Sequence, residues 1–486
     1  MAGTYGPRTK KFERQQNKGI LNRRVLSVSL ISEVIYLNER VLSSTVNRSP
    51  TIHCRILIIL ILFQTGMENK LIKNTNFTIQ FVLDKIRASF CESESAEVAH
   101  KSTEWLLTNQ LEGFEAIDIT GGAAFMSTIL KVILHWKDPK YGLPSSIVMK
   151  IPAPKYTTLV EQKNAIRAKI EAAEEPPRDT FMDEALMEES GTFLIEAHKR
   201  EIAFYECLPR LDSSLRLPKF YFGSDYSPHH NNGLIIMEDM STRAVSLPTI
   251  PGFNDAHVLA VLDEISKIHS ISWKNREWEP PVPMEMRLDF IEGMRSKAEE
   301  LAKIEPNQIG PLIRKLLPMF TVEYCEMSSY NGAKYGFPAC IVHSDLWSPN
   351  ILWEKDASGR PTDRLCAIID WQTVHNGNPC TDISRLLALN TFGQYRRDNT
   401  DRLLEYYTRK VADHLGGEAP FTTAQLRDAY KHSLPFSMMY LCFGASIYYY
   451  MDSVVGQDAN ERKDKQAELL RRVLMLLEDT IAEFGD

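Results

Sequence analysis

The chain has 486 residues, of which 44% are hydrophobic and 24% are charged, and its formal net charge is −7. This composition is ordinary for a globular protein and allows one large two-lobed domain or two to three smaller ones. The acidic balance argues against a general nucleic-acid-binding protein. The eight cysteines show no Cys-x-x-Cys spacing, which favours a reducing compartment and gives no sign of a zinc site.

Residues 1–66 differ in charge from the rest of the chain. They hold ten Lys/Arg and three Glu, whereas the remainder holds 46 basic and 60 acidic residues. Their eight-residue apolar run at 56–63 is too short for a bilayer, which needs about 20 apolar residues. We predict a disordered segment or a mistaken extension before Met67, with mitochondrial targeting or a structured accessory segment as alternatives. The predicted division is 1–66, 67–240 and 241–486.

The first half of the remaining chain alternates between helical and strand-like patterns. Apolar residues at helical spacing predict helices, and short β-branched runs bounded by Gly, Pro and Asn predict strands. The predicted elements are two helices within 81–107, strands within 116–136 and 146–151, a charged solvent-facing insertion at 160–190, a helix at 193–208, and strands at 217–222 and 233–240. Three antiparallel strands therefore come in succession.

The second half is mostly helical. Helices are predicted at 257–273, at 290–330 with breaks at Pro306, Pro311 and Pro318, and at 381–389, 402–414, 423–450 and 461–484. His269 lies on the apolar side of the first helix and is predicted to be a core histidine rather than a catalytic one. The uncharged stretch 434–451 contains a proline, a glycine and four tyrosines, which favours a buried helix over a membrane span.

The most informative stretch is IVHSDLWSPN at 341–350, followed by a second apolar run that ends at Asp370. The residues between them read as a strand, a polar turn and a second strand, so a hairpin would bring Asn350 and Asp370 close together. With Asp345 they would supply a base and two hard oxygen ligands, suited to Mg²⁺ and a phosphate-bearing substrate. A plain polar turn between core strands is the alternative.

The spacing His-x-Asp-x-x-x-x-Asn resembles the catalytic loop of the protein-kinase-like superfamily. The sequences His-Ser-Asp-Leu-Trp-Ser-Pro-Asn and Ile-Asp-Trp-Gln resemble the small-molecule branch of this superfamily. That branch includes choline kinases, aminoglycoside phosphotransferases and the ecdysteroid-kinase-like (CHK kinase-like) family. The divergent nematode members of that family are the most similar. Over roughly residues 110–480 the resemblance implies an α+β, protein-kinase-like two-lobed fold, with a small antiparallel β-sheet N-lobe and a mostly helical C-lobe.

The resemblance also implies an ATP site in the first lobe. The turn at 120–127 would cover the phosphates with backbone N–H groups, and Lys150 would pair with the α- and β-phosphates. A helix Glu would brace Lys150, and Glu201 fits the family pattern better than the alternative Glu196. The backbone around 238–240 would bind adenine. The implied cofactor-binding residues are Gly121, Gly122, Ser127, Lys150, Glu201, Glu238 and Met240.

In the second lobe the resemblance implies that Asp345 is the catalytic base and that Asn350 and Asp370 hold Mg²⁺. His343 would organise the loop by hydrogen bonds. Asp382 would support the loop, although a carboxylate at a helix N-terminus is also favourable by itself. Only eleven residues separate Asp370 from Asp382, and no Ala-Pro-Glu follows, so a peptide substrate is disfavoured.

The predicted function is an ATP- and Mg²⁺-dependent phosphotransferase that acts on a hydroxyl of a small molecule. A catalytically silent nucleotide-binding or scaffold protein is the alternative, and a protein kinase is the third. Choline, a sugar, a steroid and a xenobiotic alcohol all remain open as acceptors. Choline would favour an aromatic cage, for which Trp347, Trp371 and the tyrosines at 448–450 are available. No nucleic-acid partner and no membrane span are expected, and the expected compartment is the cytoplasm.

Overall fold

The structure is a computed structural model that describes residues 69–93, 111–120, 126–137, 143–152, 184–227, 232–275, 278–329 and 332–485. The described residues from Leu71 onward belong to one compact unit. The predictions for residues 1–66 and for most of the insertion at 160–190 lie outside these ranges. The boundary between residues 240 and 241 stays a prediction.

Five strands form one antiparallel sheet in the spatial order β1-β2-β3-β5-β4. They are β1 (Leu111–Asp118), β2 (Ser127–Trp136), β3 (Ser146–Pro152), β4 (Phe220–Ser224) and β5 (Leu234–Glu238). Successive side chains of a strand point to opposite faces, and in β2 the fully buried residues include Leu130 and Val132. β3 is central, so Lys150 lies between Ile129 and Ile235. The three successive antiparallel strands are confirmed.

Two helices accompany this sheet, α1 (Ile79–Ser93) and α2 (Glu184–Leu211). Phe81 of α1 packs edge-on against Phe222 of β4, with ring centroids 5.8 Å apart. The helix predicted at 193–208 is confirmed and is longer than its apolar pattern indicated. α2 packs against the short 3₁₀ turn Trp371–Thr373, which joins it to the second part of the fold.

The predicted hairpin is also present. β8 (Ile351–Lys355) pairs antiparallel with β9 (Pro361–Ile368), and β6 (Ala244–Ser246) adds a third strand on the other side of β8. Asp356 closes the turn by accepting hydrogen bonds from the backbone N–H groups of Ser358 and Arg360. A separate two-stranded pair joins β7 (Cys340–Val342) to β10 (His375–Gly377). β6, β7 and β10 have three residues each and were not predicted.

Helices make up the rest of the fold. They are α3 (Asp255–Lys274), α4 (Leu288–Ile304), α5 (Ile309–Leu316), α6 (Val322–Ser329), α7 (Pro379–Asn390), α8 (Gly393–Leu415), α9 (Thr423–Tyr448), α10 (Asp452–Val455) and α11 (Ala459–Phe484). The predicted break at Pro311 is wrong. Pro311 is the third residue of α5, where a helix needs no N–H donor, so proline is tolerated.

Local sequence explains where several helices begin and end. Asn254 and His257 form a capping box at the start of α3, and Thr422 and Gln425 form another at the start of α9. α8 ends at Gly416, whose φ of 68° lies in the left-handed region that favours glycine. These caps satisfy backbone groups that the helices leave unpaired.

One hydrophobic core continues from α2 and β5 into the helical part. Its largest fully buried apolar side chains include Trp353, Tyr407 and Phe436. Most residues of α9 within 434–448 are buried, in line with the predicted core helix. Across the described ranges, no helix is long and apolar enough to cross a membrane. The described cysteines, at 207, 325, 340, 366, 380 and 442, are all free thiols.

Candidate active site

Lys150 is the meeting point of two distant parts of the chain. Its Nζ lies 2.5 Å from Oε2 of Glu201 on α2 and 2.5 Å from Oδ1 of Asp370, which follows β9. These partners are 51 and 220 residues away in sequence. The structure therefore brings together three residues that the motif analysis selected separately.

Burial and charge act in opposite directions on this trio. Burial disfavours the ammonium of Lys150, but the carboxylates of Asp370 and Glu201 outweigh it and raise the pKa of Lys150 above its ordinary value. Burial raises the pKa of Glu201 to about 7, the Lys150 ammonium opposes this rise, and the Asp370 carboxylate adds to it. Two carboxylates thus share one cation, so a second cation near Asp370 would be favourable.

The alternative Glu196 does not contact Lys150. Its carboxylate lies 3.9 Å from the guanidinium of Arg200, one turn along α2. Arg200 in turn donates to the carbonyl oxygens of Gln372 and Pro283, both at 3.3 Å. α2 is therefore attached to the segment after Asp370, which keeps Glu201 directed at Lys150.

An aromatic stack reinforces this attachment. Trp371 lies almost parallel to Phe204 of α2, with centroids 3.8 Å apart and an angle of 10° between the rings. On its other side Trp371 contacts the ring of His343 at 4.5 Å. Because Trp371 is buried in this stack, it is not available for the aromatic cage that a choline acceptor would require.

Asp382, at the start of α7, holds the backbone of the 341–350 loop. Its carboxylate accepts hydrogen bonds from the backbone N–H groups of His343 at 2.9 Å and Ser344 at 2.6 Å. Ser344 has a φ of 63°, an uncommon conformation for a residue other than glycine. Burial opposes ionisation of Asp382, but hydrogen bonds from His269 and the His343 backbone hold its pKa below the ordinary value.

His343 organises the loop through both ring nitrogens. Its Nδ1 accepts the backbone N–H of Asp345 at 3.2 Å, and its Nε2 donates to the carbonyl oxygen of Ile369 at 2.9 Å. The side chain is fully buried. This geometry fits a loop-organising role and leaves no ring nitrogen for proton transfer from a substrate.

Asp345 and Asn350 lie side by side at the loop's open end. The Asn350 amide donates to the Asp345 backbone carbonyl at 3.1 Å and approaches its carboxylate at 3.4 Å. The β8–β9 hairpin brings Asp370 to the same place, because Ile351 pairs with Ile368 and the N–H of Ile369 donates to the Asn350 carbonyl. The predicted proximity of Asn350 to Asp370 follows from this register.

The end of β5 is fixed by a buried carboxylate. Asp239 accepts hydrogen bonds from Ser146 at 2.6 Å and Ser241 N–H at 2.9 Å, and pairs with Lys131 at 2.9 Å. Burial opposes ionisation of Asp239, but these hydrogen bonds outweigh it and lower the pKa of Asp239 to about 2. Asp239 is thus a buried carboxylate that fixes the end of this strand.

Glu238 and Met240 flank this carboxylate. The Glu238 side chain pairs with Arg243 at 2.8 Å. Met240 is buried in a small apolar cluster. The other members of the cluster are Ala244, Leu352, Cys366, Ala367 and Ile369. This cluster lies between the end of β5 and the β8–β9 hairpin.

Two of the predicted phosphate-covering residues, Gly121 and Gly122, lie outside the described residues. Ser127 begins β2, is buried and pairs in register with Pro152. Its side chain therefore has no visible role toward phosphate. The predicted roles of all three residues stay predictions.

Two residues of the site were missed by sequence reasoning. Arg385 of α7 donates to Oδ1 of Asp345 at 3.1 Å, and its only sequence signal is a charge within the apolar run 383–389. His269 is a buried core histidine, as expected, but it also contacts Asp382 at 3.2 Å and the hydroxyl of Tyr407 at 2.6 Å. It thereby extends the network beneath the loop.

The chain has the α+β, kinase-like fold predicted from the sequence, with Lys150 on the sheet, Glu201 on α2 and Asp345 in the loop before the β8–β9 hairpin. Residues 109–485 match the model of the DUF1679 family, which carries the description "Uncharacterized oxidoreductase dhs-27". The chain belongs to this family.

Similar proteins carry two kinds of name. The chain is 28% identical to "Uncharacterized kinase-like protein D1044.1" of Caenorhabditis elegans over 407 residues, which cover 80% of this chain and all of that protein. It is 25% identical to "Uncharacterized oxidoreductase dhs-27" of the same organism, over 67% of this chain but only 39% of that protein. The predicted resemblance to a nematode kinase-like family is confirmed.

Among solved structures, a choline kinase from Cryptosporidium parvum Iowa II is similar to this chain with a TM-score of 0.44 and 11% identity. The alignment covers 84% of this chain and 98% of that one.

Proposed function

We propose that this protein is an ATP-dependent phosphotransferase that moves the γ-phosphoryl group to a hydroxyl of a small molecule. The observation that carries the proposal is the convergence of Lys150, Glu201 and Asp370, beside a loop that presents Asp345 and Asn350. Phosphoryl transfer requires positioning and charge neutralisation more than covalent chemistry, and this set supplies both.

The side chains fit a Mg²⁺ ion. The side-chain N–H group of Asn350 donates to Asp345, so the amide oxygen of Asn350 remains as a ligand for the ion. Asp370 keeps Oδ2, whose contact with Gln372 is long at 3.4 Å. No group of three metal-binding side chains occurs among the described residues, so phosphate oxygens and water must complete the shell, as is usual for Mg²⁺.

In the proposed reaction Asp345 accepts the proton of the acceptor hydroxyl while the oxygen of that hydroxyl forms a bond to the γ-phosphorus. The bond between the γ-phosphorus and the β,γ-bridging oxygen breaks, and ADP leaves. Lys150, held by Glu201, neutralises the α- and β-phosphates, and Mg²⁺ would neutralise charge between the β- and γ-phosphates. Asn350 and Arg385 keep the Asp345 carboxylate in one orientation.

The word oxidoreductase in the family description suggests a different class, but the sequence does not favour it. A nicotinamide or flavin dinucleotide site uses a Gly-x-Gly turn between a strand and a helix. No two glycines in the 486 residues have that spacing. The described sheet is antiparallel, whereas that site belongs to a parallel one.

The test uses the full chain with Mg²⁺, ATP and a metabolite extract, and detects phosphorylated products by mass spectrometry. Asp345→Asn is expected to lower the rate of product formation by about 10²- to 10⁴-fold, the usual contribution of a positioned base, and to leave nucleotide affinity nearly unchanged. Asp398→Asn, on the exposed surface of α8, is the matched control.

The outcomes separate the candidate functions. Failure to bind Mg-ATP in calorimetry would exclude the proposal. Binding without any product across extracts and a broad hydroxyl panel would instead support a catalytically silent nucleotide-binding protein. Labelled phosphate on protein substrates alone would indicate a protein kinase.

A further inference from the structure

Arg385 stands out because it is a buried cation beside the proposed base. Its side chain is 4% exposed, and its Nη2 lies 3.1 Å from Oδ1 of Asp345. Arginine stays protonated under all ordinary conditions, so this positive charge is permanent. Within the described residues, Asp345 is the acid that pairs with it.

Two tyrosines lie close to the guanidinium. The ring of Tyr440 lies 5.2 Å from its central carbon, within the range of a cation–π contact. Trp347 of the catalytic loop and Tyr448 of α9 stack face to face, with centroids 5.2 Å apart and an angle of 8°. Burial raises the pKa of Tyr448, and the charges of Arg385 and Asp345 act on it in opposite directions, so this phenol is close to both.

The guanidinium has unused hydrogen-bonding capacity. Its Nε and Nη1 are enclosed and have no acceptor among the described residues, although a buried arginine normally satisfies its five N–H groups. Buried polar groups without partners are uncommon and call for an explanation, such as a ligand that supplies the missing acceptors. An oxygen-bearing group next to the acceptor hydroxyl would do so.

The charge balance points the same way. The Asp345 carboxylate is matched by Arg385, and Asp370 and Glu201 share Lys150. The surplus negative charge lies at Asp370, where the proposed Mg²⁺ ion would neutralise it, and the carboxylate of Asp345 itself is compensated by Arg385. A quaternary ammonium group would also have to approach Arg385, and like charges repel strongly where water is excluded.

We propose that Arg385 sets the charge class of the acceptor: the substrate is an alcohol that carries an anionic, oxygen-bearing group near its hydroxyl, and cationic alcohols are rejected. This inference rests on the proposed phosphotransferase function. Tyr440 and Tyr448 then lie beside the resident guanidinium, with Trp347 stacked on Tyr448, rather than around an ammonium of the substrate. The acceptor class accordingly differs from choline, which the aromatic residues alone had left open.

Three probes of the same size test the proposal: choline, 3,3-dimethylbutan-1-ol and isethionate. Each is a 2-hydroxyethyl group with a tetrahedral head, and the head carries a charge of +1, 0 or −1. Binding to the full chain is measured by saturation-transfer NMR with Mg²⁺ and a non-hydrolysable ATP analogue, and product formation is measured with ATP. Isethionate should bind on the order of 10-fold more tightly than the neutral probe, and choline more weakly than both.

Variants assign the preference to Arg385. Arg385→Gln should reduce the difference between isethionate and choline to within about 3-fold, because it removes the charge. Arg385→Lys should keep the order of preference. Arg397→Gln, whose side chain pairs with Glu478 and Asp479 at the surface, should change nothing. If Arg385→Gln does not fold, the preference of the wild type and of Arg385→Lys still decides the matter.

Each outcome has a distinct meaning. Choline binding as tightly as isethionate, or no binding of isethionate at all, would overturn the proposal about Arg385. Neither result would contradict the proposed phosphotransferase function as long as the nucleotide analogue binds. Absence of nucleotide binding would remove the proposed function, and the proposal about Arg385 with it.

Discussion

At the scale of single residues, Lys150 shows how the site depends on charge balance. Its ammonium is shared by two carboxylates, and in the proposed reaction only Glu201 would remain with it while Asp370 binds the metal ion. A Lys150 that lacked Glu201 would retain Asp370 as its sole partner and compete with Mg²⁺ for it. The glutamate therefore matters for the position of Lys150 and for the availability of Asp370.

Two glutamates on α2 provide a matched test of this role. Glu201→Gln removes a buried charged hydrogen bond worth about 1.5–3 kcal/mol, which corresponds to roughly a 10- to 100-fold loss of turnover. Glu196→Gln should have little effect, because Glu196 is 3.9 Å from Arg200 and does not touch Lys150. Turnover and Mg-ATP affinity are measured for both variants. Equal losses in the two would show that the pairing with Lys150 is not functional.

The proximity of site residues could be predicted from the sequence where a motif fixes their spacing. His343, Asp345 and Asn350 lie in one short loop, and the hairpin that follows carries Asp370 back to them. Arg385 could not be found in this way, since its contact with Asp345 spans 40 residues and depends on how α7 packs. The same holds for His269, whose contact with Asp382 spans 113 residues.

At the scale of elements, long periodic segments and turns with clear chemistry were predictable. β8 and β9 flank a turn rich in Asp, Ser and Gly, and α2 shows a sustained apolar face. β6, β7 and β10 could not be predicted, because three residues carry no period and their partners are distant in sequence. Their pairing is decided by tertiary packing alone.

A buried arginine, Arg472, helps to attach helix α11 to the rest of the fold. Arg472 is almost fully buried and donates to the backbone carbonyl oxygens of Thr249 at 2.9 Å and of Leu389 and Pro251. Its Nε donates to Glu468 at 2.9 Å. This single guanidinium thus joins α11, the end of α7 and the loop before α3.

Replacing this arginine should therefore destabilise the protein. Arg472→Met keeps much of the apolar stem but leaves buried carbonyl groups without donors, each costing about 1–3 kcal/mol, so a total of at least about 3 kcal/mol is expected. Arg471→Met, at the adjacent exposed position of the same helix, is the control and should change stability by less than about 0.5 kcal/mol. Urea denaturation measures both. A similar small effect in the two variants would contradict the proposed attachment.

At the scale of the whole molecule, the small sheet and the helical part share one core and one set of buried polar contacts. Arg200 links α2 to the segment after Asp370, and the stack of Phe204 on Trp371 does the same with apolar surface. His198 lies on the same helix and donates to the carbonyl oxygen of Ser224 at 2.8 Å. His375 lies in β10 and donates to the carbonyl oxygen of Thr373 at 2.9 Å.

Both of these histidines should make the fold sensitive to acid. Burial lowers the pKa of His198 and of His375 to about 4 in the folded protein, against about 6.5 in an unfolded chain. Between these values the unfolded chain binds one more proton at each site. The free energy of unfolding is therefore largest above pH 6.5 and falls as the pH drops, by about 1.4 kcal/mol per pH unit for each histidine.

This expectation is tested by substitutions that keep the hydrogen bonds but remove the titrating imidazole groups. His198→Gln and His375→Asn each retain an N–H donor for the same carbonyl, and the double variant should lose about 2.7 kcal/mol per pH unit of the acid dependence between pH 6 and pH 4.5. The exposed His135→Gln is the control and should keep the wild-type slope. Urea denaturation at several pH values gives the slopes. An unchanged slope in the double variant would mean that other groups cause the acid sensitivity.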